Sequence, residues 1–71
     1  MKNTLKIQRA IKNVTQAELA EAIQVSRQTI NAIELGKYVP STLLALRMAR
    51  FFGVPVEKIF QLEDEELDTY C

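Results

Sequence analysis

Cysteine and histidine, the residues from which disulfide frameworks and zinc sites are built, are almost absent from this sequence. Its 71 residues include no histidine and one cysteine, Cys71. One thiol has no partner for an intramolecular disulfide, and a structural zinc site takes about four ligands that are mostly Cys or His. A disulfide framework is therefore excluded and no metal or other cofactor is expected. Cys71 is expected to be a free thiol in a reducing, cytoplasmic environment.

Glycine, proline and long apolar runs are also scarce. The chain has two glycines and two prolines, and no apolar run approaches the roughly 20 residues that a membrane-spanning helix needs. The N-terminal residues MKNTLKIQRA lack the apolar centre of a secretory signal peptide. Between the glycines and prolines the apolar residues recur with helical spacing. This predicts one small all-α domain of five helices, which begin near Thr4, Thr15, Ser26, Ser41 and Pro55.

The net charge of zero hides two oppositely charged regions. Residues 1–60 hold all nine basic residues and four of the nine acidic ones, a net charge of +5, and residues 61–71 hold the other five acids. A basic body is what a polyanionic partner requires. The sequence therefore favours a nucleic acid as the partner. It also predicts a binding domain at residues 1–62 and an acidic, flexible tail at residues 63–71.

Two helix starts lie one short helix apart in the stretch VTQAELAEAIQVSRQTINAIELG. Thr15 and Glu18 form a capping box, in which the threonine hydroxyl accepts from the amide of Glu18 and the glutamate carboxylate reaches back. Ser26 caps the following helix, and Gly36 ends it because glycine adopts the left-handed conformation without penalty. Two short helices joined by a turn at Gln24-Val25 form a helix-turn-helix.

Over about residues 4–60 the chain resembles the phage repressor and Cro type of helix-turn-helix protein, also called the xenobiotic-response-element family. The motifs that carry the resemblance are TQAELAEAIQVSRQTINAIELGKYVPS and ALRMARFFGVPVEKIF. The IFQLE ending is similar to that of short stand-alone members, such as the cytolysin-operon repressor type. The resemblance implies a compact lambda-repressor-like bundle, a homodimer and a small β-sheet from the terminal segments. It also implies a repressor that binds double-stranded DNA at a pseudo-palindromic operator.

In this family the N-terminal part of the second motif helix enters the major groove. The resemblance therefore assigns base edges to Arg27, Gln28 and Asn31. Their chemistry agrees, because arginine donates two bonds to guanine, and glutamine or asparagine pairs with adenine. Thr29 is assigned a thymine methyl or a phosphate. Ala32 stands where relatives often carry a longer side chain, so it offers an apolar contact at most.

The resemblance assigns phosphate contacts to a second set of residues around the same helix. Gln16 lies at the start of the first motif helix, where the helix dipole favours an anion. Ser26 and Lys37 are implied as further phosphate ligands. Tyr38 has two open roles, a DNA contact or packing over the loop. Leu35 departs from the asparagine that is common in relatives, which removes one polar contact.

The first predicted helix carries one partner of an ion pair, Arg9–Glu34, which we call the brace, and it departs from the family pattern at other positions. Arg9 and Glu34 match a family ion pair that joins the first helix to the end of the third. Ile7 and Ile11 fall where relatives expose polar residues, whereas Gln8 stands where they bury an aliphatic one. Either this helix is rotated, or Ile7 and Ile11 form an apolar surface for a partner, which includes a second copy of the chain in a dimer. We expect the exposed surface.

The C-terminal third has its own expectations. The fourth helix is predicted to bury an apolar face made of Leu43, Leu46, Met48, Ala49 and Phe52. Phe60 and Leu62 either cap the core or form a dimer seam, and the seam is favoured. The acidic tail leads to the hypothesis that it competes with DNA for the basic face.

A different class of function also remains open. The same fold serves as a protein-interaction module, such as an antitoxin or an adaptor, and Ile7, Ile11 and the acidic tail are the features that support it. An enzyme is disfavoured, because the chain has no glycine-rich phosphate loop and no nucleophile–base constellation. Neither a membrane nor a small-molecule substrate is expected as a partner.

Overall fold

The computed structural model describes residues 1–67, in which the chain forms helices joined by short turns and one small sheet. The helices are α1 Leu5–Lys12, α2 Gln16–Ile23, α3 Arg27–Glu34, α4 Thr42–Phe52, α5 Val56–Ile59 and α6 Asp64–Leu67, and the strands are β1 Lys2–Asn3 and β2 Phe60–Gln61. This confirms the predicted helical bundle with a terminal strand pair. The short α6, inside the predicted tail, is an addition to the five expected helices. Cys71 lies outside the described residues.

Side-chain caps set the starts of the three central helices. The Thr15 hydroxyl accepts from the Glu18 amide at 3.0 Å, and the Thr15 amide donates to Glu18 Oε1 at 2.8 Å, so the capping box is complete. Ser26 Oγ accepts from the Thr29 amide at 3.1 Å, and Ser41 caps α4 in the same way. Each such cap contributes about 1 kcal/mol of helix stability.

A left-handed residue closes the turn between α2 and α3. Gln24 has a φ of 63°, and its amide donates to the Glu21 carbonyl at 3.3 Å while the next amide, of Val25, donates to Ala20 at 3.0 Å. Such a pair of bonds satisfies carbonyls that the helix end would otherwise leave without donors. The chain reverses within three residues, so α3 packs directly across α2.

One apolar core joins α1 to α5. The largest fully buried side chains come from every one of these helices: Leu5, Leu19, Ile30, Ile33, Met48 and Ile59. At about 1.5–3 kcal/mol for each fully buried side chain, this cluster is the main source of stability. It also fixes the rotation of α3, because Ile30 and Ile33 must both face inward.

The two strands tie the chain ends to this core. They pair antiparallel, with Lys2 opposite Gln61 and Asn3 opposite Phe60. Phe60 is only 9% exposed and belongs to the core, which is the core-capping role that the sequence left open for it. Leu62, by contrast, is 52% exposed. Asn3 Nδ2 donates to the Ile33 carbonyl at 2.8 Å and so links β1 to the end of α3.

The structure corrects the predicted inner face of α4. Leu43 is 61% exposed and Leu46 is 55% exposed, whereas Leu44, which was not expected inside, is buried. Met48 is buried as expected. Apolar residues occupy several adjacent positions of this helix, so the pattern fits more than one rotation. The contact that selects the rotation is packing against α2 and α5, which the local sequence does not contain.

Helix α1 presents two apolar side chains to solvent. Ile7 is 58% exposed and Ile11 is 74% exposed, as expected from the sequence.

The N-terminus is paired with the first part of the predicted tail. The ammonium group of Met1 lies 3.5 Å from Glu63 Oε1 and 3.2 Å from Glu66 Oε2.

Candidate nucleic-acid interface

The outward side of α3 forms one wall of a hollow of about 410 Å³ on the protein surface. The residues that line the hollow are Gln16, Arg27, Gln28, Asn31, Ala32, Leu35 and Lys37. Arg27, Gln28 and Asn31 are the three side chains that the sequence predicts to read base edges. Ala32 and Leu35, to which the family resemblance gives no polar contact of their own, lie in the lining beside these residues.

The orientation of these side chains follows from the core. Ile30 and Ile33 are buried, and with 3.6 residues per turn the positions on the opposite side of α3 must face solvent. Arg27 and Asn31 lie four residues apart and therefore share that side. Both are exposed, so their hydrogen-bonding groups are open to a ligand.

Gln16 joins α2 to this surface. Its Nε2 donates to Asn31 Oδ1 at 3.2 Å and to Glu34 Oε1 at 3.0 Å. The first bond leaves the Asn31 amide nitrogen free to donate outward. Because Nε2 has two hydrogens, both are used within the protein, and a phosphate contact from Gln16 requires one of these bonds to be exchanged.

The expected partners Arg9 and Glu34 lie together behind the hollow. Arg9 Nε is 2.5 Å from Glu34 Oε2, and Arg9 Nη2 donates to Glu34 Oε1 at 3.1 Å, a two-bond arrangement. Arg9 Nη1 also donates to the Val14 carbonyl at 3.1 Å. The Glu34 side chain is 7% exposed. The pair therefore connects α1, the α1–α2 turn and the last turn of α3.

The charge on Glu34 is held by its neighbours. Burial raises the pKa of its carboxyl, but the hydrogen bonds from Arg9 and Gln16, together with the charges of Arg9 and Lys6, outweigh burial and leave the pKa below its ordinary value. Bonds to the ionised form favour it in this way. Glu34 is thus an anion that the protein uses internally, and it neutralises one of the cations near the hollow.

A second hollow, of about 570 Å³, lies at the N-terminal end of α2. Thr15, Gln16 and Ala17 form its helical side, and Arg9 and Arg27 contribute to its wall. The free amides and the positive end of a helix dipole favour an anion at such a position. Gln16 and Arg27 line both hollows, which makes the two hollows neighbours on one surface.

Three further predicted residues have different surroundings. Ser26 Oγ lies 2.9 Å from Thr29 Oγ1, so these hydroxyls bond to each other, and Thr29 is half-buried. Tyr38 is 48% exposed in the loop after α3 and does not line either hollow. The structure therefore brings the residues that line the two hollows together on one surface, and Tyr38 lies outside both hollows.

Comparison with known proteins gives a consistent result. Residues 5–59 match a protein family described as helix-turn-helix. An uncharacterized HTH-type transcriptional regulator of Methanocaldococcus jannaschii is 59% identical over 66 residues, which are 93% of this chain and 100% of the relative. One of Bacillus subtilis is 48% identical over 92% of this chain and 98% of its own length.

A more distant relative, an HTH-type transcriptional activator of Enterococcus faecalis, is 40% identical over 82% of this chain but only 28% of its own length. No helix within residues 1–67 is long and apolar enough to cross a membrane.

Proposed function

The chain belongs to the helix-turn-helix family of transcriptional regulators, and from that premise we propose that it is a repressor that binds a pseudo-palindromic operator as a homodimer. The observation that carries the proposal is the hollow along α3, where polar donors and acceptors from two helices face solvent together. Such a surface fits the major groove, which presents a different set of donors and acceptors for each base pair. Chromosomal DNA as the ligand would place the protein in the cytoplasm.

Base reading falls to the exposed residues of α3. Arg27 suits the O6 and N7 atoms of guanine, and Gln28 and Asn31 suit adenine, each through two bonds. The bond from Gln16 holds the Asn31 oxygen in place and leaves its nitrogen to donate. A side chain held before binding loses less entropy on binding, so Asn31 is the most precisely positioned of the three. Thr29 is a secondary candidate, because it is half-buried.

Phosphate binding falls to the flanks of the same surface. Lys37 lines the main hollow at the end of α3, and the start of α2 with Gln16 lines the second. Both groups border the base-reading residues and would contact phosphates beside the groove. Ser26 and Tyr38 are proposed as weaker phosphate ligands, since Ser26 already bonds Thr29.

A homodimer would place one α3 in each of two successive major grooves about 34 Å apart. We propose that the seam is the exposed apolar surface of Val39, Leu43 and Leu46, which are 60%, 61% and 55% exposed. These residues follow α3 in the chain, so a two-fold axis there would bring the two recognition helices side by side. Leu62 is an additional candidate for the rim.

Selection of bound duplexes from a random-sequence pool tests the proposal. The purified chain should enrich an inverted repeat whose half-site centres lie about one helical turn apart. Enrichment of a single unpaired half-site would contradict the homodimer and keep the DNA-binding role. Failure to enrich any sequence at low salt, where phosphate contacts are strongest, would contradict sequence-specific binding itself.

The sign of regulation needs a separate measurement. A bound protein that covers promoter DNA excludes the polymerase, which supports repression, whereas the Enterococcus faecalis relative is named as an activator. A reporter gene placed behind the selected operator should be expressed less when the chain is present. An increase would make the protein an activator with the same DNA contacts.

A second candidate function has one observation in its favour. Ile7 and Ile11 present an apolar pair on α1, 58% and 74% exposed, and such a pair is suited to a partner protein. In that case the chain would act mainly as a protein-interaction module, and DNA binding would be secondary. The duplex selection separates the two functions, because a module of this kind would enrich no operator.

A further inference from the structure

Much of the free positive charge lies away from the recognition hollow. A third hollow, of about 320 Å³, lies between the C-terminal end of α2 and α4, and its lining residues are Ala22, Ile23, Gln24, Arg47, Arg50 and Phe51. No acidic side chain lines it. Within residues 1–67 neither arginine side chain takes part in an ion pair or hydrogen bond. We call this hollow the basic pocket.

Three cations surround an apolar floor in the basic pocket. Arg47 and Arg50 are one helical turn apart and therefore lie side by side on α4. The Lys12 Nζ lies 5.1 Å from the centre of the Phe51 ring, which brings a third positive charge to the edge. Ile23, which is 4% exposed, and Phe51 supply the apolar surface beneath.

The basic pocket is separate from the surface that we assign to DNA. It shares no lining residue with the two hollows around α3 and the start of α2. Gln16 and Ile23 mark the two ends of α2, about 10 Å apart along the helix axis. A duplex seated on α3 would therefore leave the basic pocket available.

We propose that the basic pocket docks an acidic segment of a second protein, one that carries an aromatic or aliphatic side chain among its carboxylates. Charge complementarity carries this assignment, because two neighbouring guanidinium groups bind carboxylates through paired hydrogen bonds. The apolar floor distinguishes such a segment from a phosphate backbone, which has no side chain to place there. The chain's own acidic tail is less suited, since Glu63 and Glu66 already pair with the Met1 ammonium.

Peptide binding tests the proposal without any DNA. The probe is a fluorescein-labelled peptide of glutamates and aspartates with two interspersed phenylalanines, and its affinity for the full chain is measured by fluorescence anisotropy. The test variant is Arg47→Glu with Arg50→Glu. The matched control is Lys2→Glu with Lys58→Glu, which changes the net charge equally at two exposed residues outside the pocket. Equal thermal unfolding midpoints establish that both variants fold.

The test variant should bind the peptide at least about tenfold more weakly than the control does. A peptide with serine in place of phenylalanine should bind the parent chain more weakly than the probe. Equal losses of peptide affinity in the test and control variants, or no binding of the peptide by the parent chain, would overturn the proposal. These outcomes are independent of whether the chain binds an operator.

Two further measurements address the other occupants. Affinity for the selected operator should fall no further in the test variant than in the control, because both lose the same net charge. A larger fall would make the basic pocket a DNA contact and overturn the proposal. The oligomeric state of the test variant, from analytical ultracentrifugation, should equal that of the parent. Loss of a dimer would assign the pocket to a second copy of the chain instead.

Discussion

The two ends of α2 use their polar groups in opposite ways. At the N-terminal end Thr15 and Glu18 bond to each other, and the Gln16 amide donates to Asn31 and Glu34 of α3. At the C-terminal end Gln24 adopts a left-handed conformation, and the side chain of the nearby Arg47 has no bonded partner within residues 1–67. Bonds within the protein hold the side chains of Gln16 and Asn31 in one geometry, whereas no such bond holds the side chain of Arg47. Binding precision and binding charge are thus separated along a single helix.

The largest expected effect is the loss of the brace at the N-terminal end. Glu34→Ala leaves the Arg9 guanidinium, which is 15% exposed, without its carboxylate. Removing one partner of a buried ion pair typically costs about 3–5 kcal/mol, and we expect about 3 kcal/mol because Arg9 keeps its bond to the Val14 carbonyl. Urea unfolding of the variant and the parent measures this difference.

Glu21→Ala is the matched control for that experiment, because Glu21 is an exposed carboxylate on α2. It should change the free energy of unfolding by no more than about 0.5 kcal/mol. A double variant, Arg9→Met with Glu34→Leu, removes both charges and should recover much of the lost stability. If Glu34→Ala were as stable as the parent, the brace would have no structural role.

The second effect separates base reading from phosphate binding at the recognition surface. Arg27→Ala should cost about 1–3 kcal/mol of operator affinity and relax the preference at one base position. Lys37→Ala, the matched loss of a cation in the same hollow, should weaken all sequences alike and lower the salt slope by about 1. Titrations of the selected operator and a scrambled duplex at several salt concentrations measure both. Equal behaviour of the two variants would remove Arg27 from the base-reading set.

The third effect is a dependence of stability on pH at the same brace. The carboxyl of Glu34 has an ordinary pKa of 4.5, and in the folded chain burial raises this pKa less than the bonds from Arg9 and Gln16 lower it. The stabilisation is therefore fully present above 4.5 and is lost as the pH falls through the lower, folded pKa. The difference in unfolding free energy between the parent and Glu34→Gln should accordingly shrink in acid. A difference that stays constant would contradict the lowered pKa.

The helix-turn-helix motif could be predicted because its helix caps form between residues close in the sequence. The features that were not predicted depend on packing between distant parts of the chain. The caps at Thr15, Ser26 and Ser41 need only a hydroxyl and an amide three residues later, so the sequence contains the whole interaction. The rotation of α4 depends on helices distant in the chain, and Leu43 was accordingly expected inside although it is exposed. The sequence left two roles open for Phe60 for the same reason, because its strand partner, Asn3, is distant in the chain.

The candidate site also has one part that the sequence predicts and another part that depends on packing between helices. The positions of Arg27 and Asn31 on one face follow from helical periodicity and the buried Ile30. The bonds from Gln16 to Asn31 and Glu34 do not, because they depend on the angle at which α2 crosses α3. That angle is set by the left-handed turn at Gln24, a conformation for which glutamine gives no sequence signal.

Relief of strain at that turn is the smallest expected effect, and it tests the C-terminal end of α2. Gln24 has a φ of 63°, and its exposed side chain has no hydrogen bond within residues 1–67. Gln24→Gly should therefore stabilise the chain, by about 0.5–1 kcal/mol after the entropy that glycine adds to the unfolded state. Asn13, with a φ of 60°, is the matched position, and Asn13→Gly should gain less because asparagine tolerates this conformation. Equal gains at the two positions in urea unfolding would show that the turn after α2 carries no more strain than the turn after α1.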